Sequence, residues 1–265
     1  VYRTATDNMK RAQCFAGAKN HMVIMPDANK DQVVSSLVGS SCGAAGQRCM
    51  AISVAVFVGD SKAWIDELAS QFGQIRPGAW NDPDAAYGPQ ISPAAKQRVL
   101  KMIEQGKQEG ATCLLDGSDC TVEGLPDGNW VGPTLFTDVT AEMSIYREEI
   151  FGPVQAVVRA DDYETALAMA SDHEYGNGAA IFTRDGDAAR EFAQRVNIGM
   201  VGINVPIPVP VAYHSFGGWK RSGFGDLDQY GEDGVRFYTR TKKITQRWPS
   251  GGVVVDQSFV IPTMK

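Results

Sequence analysis

The sequence predicts an α/β fold built on a parallel sheet with helices on both faces, and three observations predict it. Apolar, β-favouring runs alternate with amphipathic helical segments along most of the chain. The runs are continuously apolar rather than alternating, as in strands buried on both faces. A 265-residue chain that is 43% hydrophobic can bury one large core or two smaller ones.

The elements follow in order. Residues 1–13 are polar with no turn or cap of their own, and the first residue is Val1 rather than Met, so the chain is expected to be a piece of something larger. HMVIMPDANKDQVVSSLVGSS reads as a strand, a turn at Pro26 and a helix capped by Asp27, with Val33, Val34, Leu37 and Val38 on one face. AISVAVFVG repeats the strand, and SKAWIDELASQFGQI the helix, starting near Asp60 or Ser61. A Pro-, Gly- and Asp-rich loop from Pro77 to Pro89 precedes a helix with Ser92 as N-cap and Pro93 in its first turn, running to about Gly110. ATCLLDG is the returning strand. PVQAVVRA, DDYETALAMASD, GNGAAIFTR, GDAAREFAQRVN and GMVGIN then give strand, helix, strand, helix, strand. From Val205 the chain becomes Pro- and Gly-rich, and FYTRTKKITQRW, Phe237 to Trp248, alternates like an edge strand that pairs with a partner subunit.

Composition narrows the function. A net charge of −6 without a basic stripe gives no footprint for nucleic acid or an anionic membrane. No apolar run reaches the roughly 18 to 20 residues that span a bilayer. Five cysteines, an odd number in a chain this long, favour free thiols in a reducing compartment.

Two C-x6-C pairs, Cys42/Cys49 and Cys113/Cys120, could be joined with His21, His173 and His214 into a zinc site, but zinc ligand pairs usually stand two to four residues apart, so no metal is expected. Any single thiol is, by default, a small buried hydrophobe. Cys49 has more context: it follows a Gly-rich loop, Gly43 to Gly46, at the start of a buried strand, and Arg48 stands beside it. A guanidinium there can favour thiolate and receive an anionic substrate group. Cys42 ends the predicted helix, where the dipole disfavours a thiolate. On the residues alone, Cys49 stays open between reactive and buried thiol.

FAGAKNH, GQRCM, GPTLF, EEIFGPV and FGGWKRSGFGD occur in the order and approximate spacing of the C-terminal half of the aldehyde dehydrogenase superfamily, which the chain resembles over nearly its whole length. GAKNHMVIMPDAN, GAAGQRCMA, NVPIPVP and the terminal IPTMK are similar to the branch that acts on methylmalonate semialdehyde. The resemblance implies that Cys49 is the nucleophile, with its own backbone N–H as an oxyanion donor. It implies that Glu149 holds the nicotinamide ribose hydroxyls and that Phe151 lies against the nicotinamide end of NAD. Arg48 resembles the branch's substrate-carboxylate anchor, and Phe216, Asn204 and the NVPIPVP loop are expected to wall the substrate funnel.

One departure is informative. Hydrolytic members of the superfamily carry a glutamate, four residues before the lysine matched by Lys19, that activates water; here that position is Phe15, at the family's spacing from Cys49. Phenylalanine cannot accept a proton, and losing general-base assistance costs on the order of 100- to 10,000-fold. The resemblance therefore implies acyl transfer to coenzyme A with decarboxylation, giving propionyl-CoA or acetyl-CoA. The alternatives are a hydrolytic NAD(P)-dependent aldehyde dehydrogenase and a catalytically silent fragment of one.

No G-x-G-x-x-G follows a strand: GSSCGAAG has the wrong spacing and SGFGDLDQYG lacks the third glycine in register. Because the family binds NAD mainly through an N-terminal domain, this chain is expected to start just after it, and alone to bind NAD poorly and turn over little. The expected organisation is a catalytic domain over residues 1–235 and an oligomerisation strand and tail over residues 236–265. The expected setting is a homodimer or homotetramer, in bacterial cytoplasm or a mitochondrial matrix, acting on a small semialdehyde.

Overall fold

The computed structural model describes residues 1–59, 62–246 and 248. Its centre is a seven-stranded sheet ordered β4-β5-β6-β3-β2-β8-β9. In chain order the members are β2 (Asn20–Ile24), β3 (Ile52–Val58), β4 (Thr112–Leu115), β5 (Thr134–Thr137), β6 (Val154–Ala160), β8 (Gly178–Phe182) and β9 (Met200–Ile203). All neighbours pair in parallel except β4 and β5, so ATCLLDG returns as an antiparallel edge rather than as another parallel strand. Two short ribbons lie outside the sheet: β1 (Cys14–Phe15) with β11 (Gly223–Phe224), and β7 (Tyr175–Gly176) with β10 (Trp219–Lys220).

Alternation along β3 explains the layering. Val54, Val56 and Val58 point to one core, joined there by Val99, Met102 and Ile103 of α4 (Pro93–Gln108), Ala166 and Leu167 of α6 (Tyr163–Asp172), and Phe192 of α7 (Gly186–Arg195). Ile52, Ala55 and Phe57 point to the other, against Val33, Val34 and Leu37 of α2 (Lys30–Cys42) and Ile65, Leu68 and Phe72 of α3 (Lys62–Gln74). Each large side chain removed from water stabilises the fold by about 1.5–3 kcal/mol. Apolar residues on both faces of one strand thus place helices on both faces of the sheet.

Several expectations change. The N-cap of α2 is Asn29, which accepts from Gln32 N at 3.0 Å, while Asp27 instead accepts from Thr183 Oγ1 and Arg184 N beyond β8. Ser92 caps α4 as expected, accepting from Ala95 N at 3.2 Å. The N-terminal residues hold a short helix, α1 (Tyr2–Asp7), and a second one-turn helix, α5 (Ser144–Arg147), precedes the EEIFGPV segment.

The expected strand at Phe237 is helical at its start. Phe237 and Tyr238 end α8 (Gly231–Tyr238), where Arg236 reaches Glu232 at 3.6 Å and Asp233 at 3.9 Å, one helical turn back. The proposed domain boundary at 235/236 therefore falls inside a helix. Residues 239–246 form no strand in the single chain, as expected of a segment whose backbone has no partner ladder. The IPTMK motif lies outside the described residues. No helix among the described residues is long and apolar enough to cross a membrane.

Candidate active site

The predicted Cys49, Glu149 and Phe151 gather with two asparagines at the amino ends of neighbouring parallel strands. Asn20 opens β2, Cys49 stands three residues before β3, Glu149 and Phe151 precede β6, and Asn177 immediately precedes β8. Ligands in open α/β sheets usually sit at the carboxyl ends of strands. Here the candidate residues lie at the opposite ends of the strands.

The Gly-rich loop is wound left-handed. Ala44, Ala45 and Gly46 have φ of +53°, +55° and +70°. Such backbone costs an alanine roughly 1–2 kcal/mol. Surrounding bonds hold it there: Gln90 Nε2 donates to Ala45 O at 3.0 Å, and Gln47 Oε1 accepts from Ile91 N at 2.8 Å. At Gly46 the chain runs so close to EEIFGPV that a Cβ would lie 2.0 Å from Gly152 O. Across this contact Phe151 also has a positive φ, +59°. Strained backbone on both sides of one cleft is characteristic of functional sites.

Ala18, Asn20, Arg48, Cys49, Glu149 and Phe151 line that cleft. Cys49 is exposed, whereas Cys42 is buried at the end of α2 with its thiol pushed up to about 12 by burial. Burial also raises the pKa of Cys49, and the charge of Glu149 adds to it, while the backbone N–H groups of Cys49 and Met50 pull towards thiolate. Of the five thiols, Cys49 is the exposed one.

Glu149 is half-buried, and burial raises its pKa. Its Oε1 accepts from Ala18 N at 3.1 Å, and its carbonyl accepts from Arg98 Nη2. Lys19, 2% exposed, donates from Nζ to Glu148 O at 2.9 Å, and burial pulls its pKa down to about 7. Two basic side chains thus fix the segment that presents Glu149. Its Oε2 has no hydrogen-bond partner among the described residues, which suits an additional diol donor.

Arg48 faces the cleft but is also engaged elsewhere. Its Nη2 donates to Gly39 O at 2.6 Å and Ser40 O at 3.1 Å, carbonyls at the end of α2, and the guanidinium lies over Gly43. Burial lowers its pKa. Phe216 lies apart from the cleft lining: it pairs with Gln229 and packs against Phe15. Asn204 also lies elsewhere, its amide exchanging bonds with Thr183 N and Thr183 O at 3.0 Å beyond β8. Among the described residues, no group of three or more His, Cys, Asp and Glu side chains could hold a metal ion.

The sequence reading missed Asn20, Asn177, Gln47 and Gln90. Isolated amides have no periodicity or spacing to mark them; only their positions at strand and loop ends carry information.

The profile of the "Aldehyde dehydrogenase family" matches residues 1–244. The chain is 52% identical over 266 residues to malonate-semialdehyde dehydrogenase of Pseudomonas aeruginosa, covering 100% of this chain and 54% of that protein. It is 45% identical over 265 residues to the Bos taurus methylmalonate-semialdehyde/malonate-semialdehyde dehydrogenase [acylating], mitochondrial, covering 100% and 49%. A crystal structure from Sinorhizobium meliloti 1021, complexed with NAD, superposes with a TM-score of 0.93 at 57% identity, over 95% of this chain and 52% of that one. The chain spans about half the length of the curated relatives it matches.

Proposed function

The chain belongs to the aldehyde dehydrogenase family, and we propose that it supplies the catalytic part of an NAD-dependent enzyme that oxidises methylmalonate or malonate semialdehyde and passes the acyl group to coenzyme A. One observation carries this reading. Cys49 is exposed in a cleft it shares with Glu149, while the position that holds the water-activating glutamate in the hydrolytic enzymes the chain resembles is Phe15. The names of the Pseudomonas and bovine relatives support the substrate class, and "acylating" in the latter supports the acceptor.

Cys49 thiolate attacks the aldehyde carbon, the carbonyl pair moves to oxygen, and the backbone N–H of Cys49 stabilises the alkoxide. The alkoxide collapses with loss of hydride and leaves a thioester on Cys49. Bound NAD supplies the hydride acceptor, with Glu149 and Phe151 as the residues that would hold its ribose and nicotinamide end. Coenzyme A thiolate then attacks the thioester and expels Cys49 thiolate. The β-carboxylate leaves as carbon dioxide, its bonding pair passing through the thioester carbonyl to a proton, giving propionyl-CoA or acetyl-CoA. Arg48 receives the substrate carboxylate, and Phe216 shapes the approach beside Phe15.

The same reading has the assembled protein as a homodimer or homotetramer, placed in bacterial cytoplasm or, like the bovine relative by its name, in mitochondria. The test measures NADH formation on malonate semialdehyde with the full-length protein, with and without coenzyme A. Turnover that depends on coenzyme A supports the reading, and free acid released at undiminished rate without it favours hydrolysis.

A further inference from the structure

Two side-chain amides converge on the carbonyl oxygen of Cys49. Asn20 Nδ2 donates to it at 2.9 Å and Asn177 Nδ2 at 3.0 Å. Both side chains are buried, Asn20 at 2% and Asn177 at 7% exposure. Their orientations are fixed by further partners. Asn20 Oδ1 accepts from Gly178 N at 3.0 Å, its Nδ2 also donates to Ala51 O at 3.0 Å, and Asn177 Nδ2 lies 3.0 Å from Met50 Sδ. Two donors match the two lone pairs of a carbonyl oxygen. The Cys49 oxygen is thereby held between β2 and β8.

Fixing that oxygen fixes a second atom. In a trans peptide the C=O of Cys49 and the N–H of Met50 point in opposite directions. Held towards the two asparagines by its oxygen, the plane turns the Met50 N–H the other way, and this N–H acts on the Cys49 thiol in the thiolate direction. Two hydrogen bonds accepted at the oxygen also polarise the peptide and strengthen its N–H as a donor.

We propose that Asn20 and Asn177 are positioning residues for the nucleophile: by clamping the Cys49–Met50 peptide they aim the Met50 N–H, alongside that of Cys49, at the reacting sulfur and its thiolate charge. The proposal rests on Cys49 being the nucleophile. Each asparagine acts through the peptide it holds.

The test follows the rate of Cys49 alkylation by iodoacetamide against pH in the full-length protein, with the modified residue read by peptide mass spectrometry. Asn177→Leu and Asn20→Ser should each raise the apparent thiol pKa by about one unit, lowering alkylation near pH 7 about tenfold. A purely structural link between strands would lower the melting temperature and leave the pH profile in place. Folded variants with the wild-type profile overturn the proposal. If Asn177→Leu does not fold, Asn177→Ser is read by the same criterion. Failure of wild-type Cys49 to be alkylated at any pH contradicts the nucleophile assignment itself, a result distinct from an unmoved profile.

Discussion

The rings of Phe15 and Phe216 meet edge-on, 5.4 Å between centroids and inclined by 68°. Phe15 belongs to β1, paired with Gly223 of β11, so the aromatic contact joins the strand before the Lys19 motif to the Gly-rich C-terminal loop. This apolar pair includes the position that holds a glutamate in the hydrolytic enzymes the chain resembles.

Replacing Phe15 by glutamate should therefore open a hydrolytic route. Phe15→Glu is expected to raise free-acid release without coenzyme A by tenfold or more, part of the ~100- to 10,000-fold that a positioned general base contributes. Product analysis by chromatography checks it. Unchanged acid release would mean that position 15 does not reach the thioester.

Arg48 has two separable tasks. Its bonds to Gly39 O and Ser40 O cap α2, and its charge is proposed to bind the substrate carboxylate. Arg48→Met should raise KM for malonate semialdehyde about 10- to 100-fold, the worth of a charge-assisted hydrogen bond, while KM for uncharged propionaldehyde changes less than about threefold. Equal losses on both aldehydes would leave Arg48 as a helix cap alone.

The close approach of Gly46 to Gly152 makes a steric prediction. Gly46→Ala adds a Cβ into Gly152 O at φ +70°, and should cost about 3 kcal/mol or more by urea unfolding. Gly73→Ala, inside α3 with nothing within 4 Å of the added carbon, should instead stabilise by about 0.5–1 kcal/mol.

Burial controls a third region. His21 and His173 lie with ring centroids 5.2 Å apart, their pKa values lowered chiefly by burial to about 3 and about 4. The unfolded chain binds these protons near pH 6.5, the folded chain only at lower pH, so their stabilising contribution is complete above 6.5 and is lost as pH falls towards 4 and 3. Each histidine should steepen the loss by up to about 1.4 kcal/mol per pH unit below 6.5. His21→Asn should flatten urea-midpoint curves between pH 7.5 and 5, and an unaltered slope would refute the assignment.

The sequence made the central strands legible because Asn20–Ile24, Ile52–Val58 and Val154–Ala160 carry the unbroken apolar runs MVI, VAVFV and AVV and lie between two helical layers. β5 is four residues long, between Pro133 and polar loops, and stood out only as part of the GPTLF motif. The alternation of FYTRTK hid the end of α8, in which Glu232 and Arg236 stand one helical turn apart. In the site, Cys49, Glu149 and Phe151 could be named from their motifs, and the structure brings them to one cleft. That they meet at the amino ends of strands, and that Asn177 joins Asn20 on the Cys49 peptide, depends on strand pairing between segments more than a hundred residues apart.

The most direct test of the central claim is intact mass spectrometry of the full-length protein mixed with malonate semialdehyde and NAD in the absence of coenzyme A. The expected result is an acyl adduct that maps to Cys49, persists without a thiol acceptor, disappears when coenzyme A is added, and is absent in Cys49→Ser. Free acid accumulating through continued turnover, with no adduct on Cys49, would contradict it.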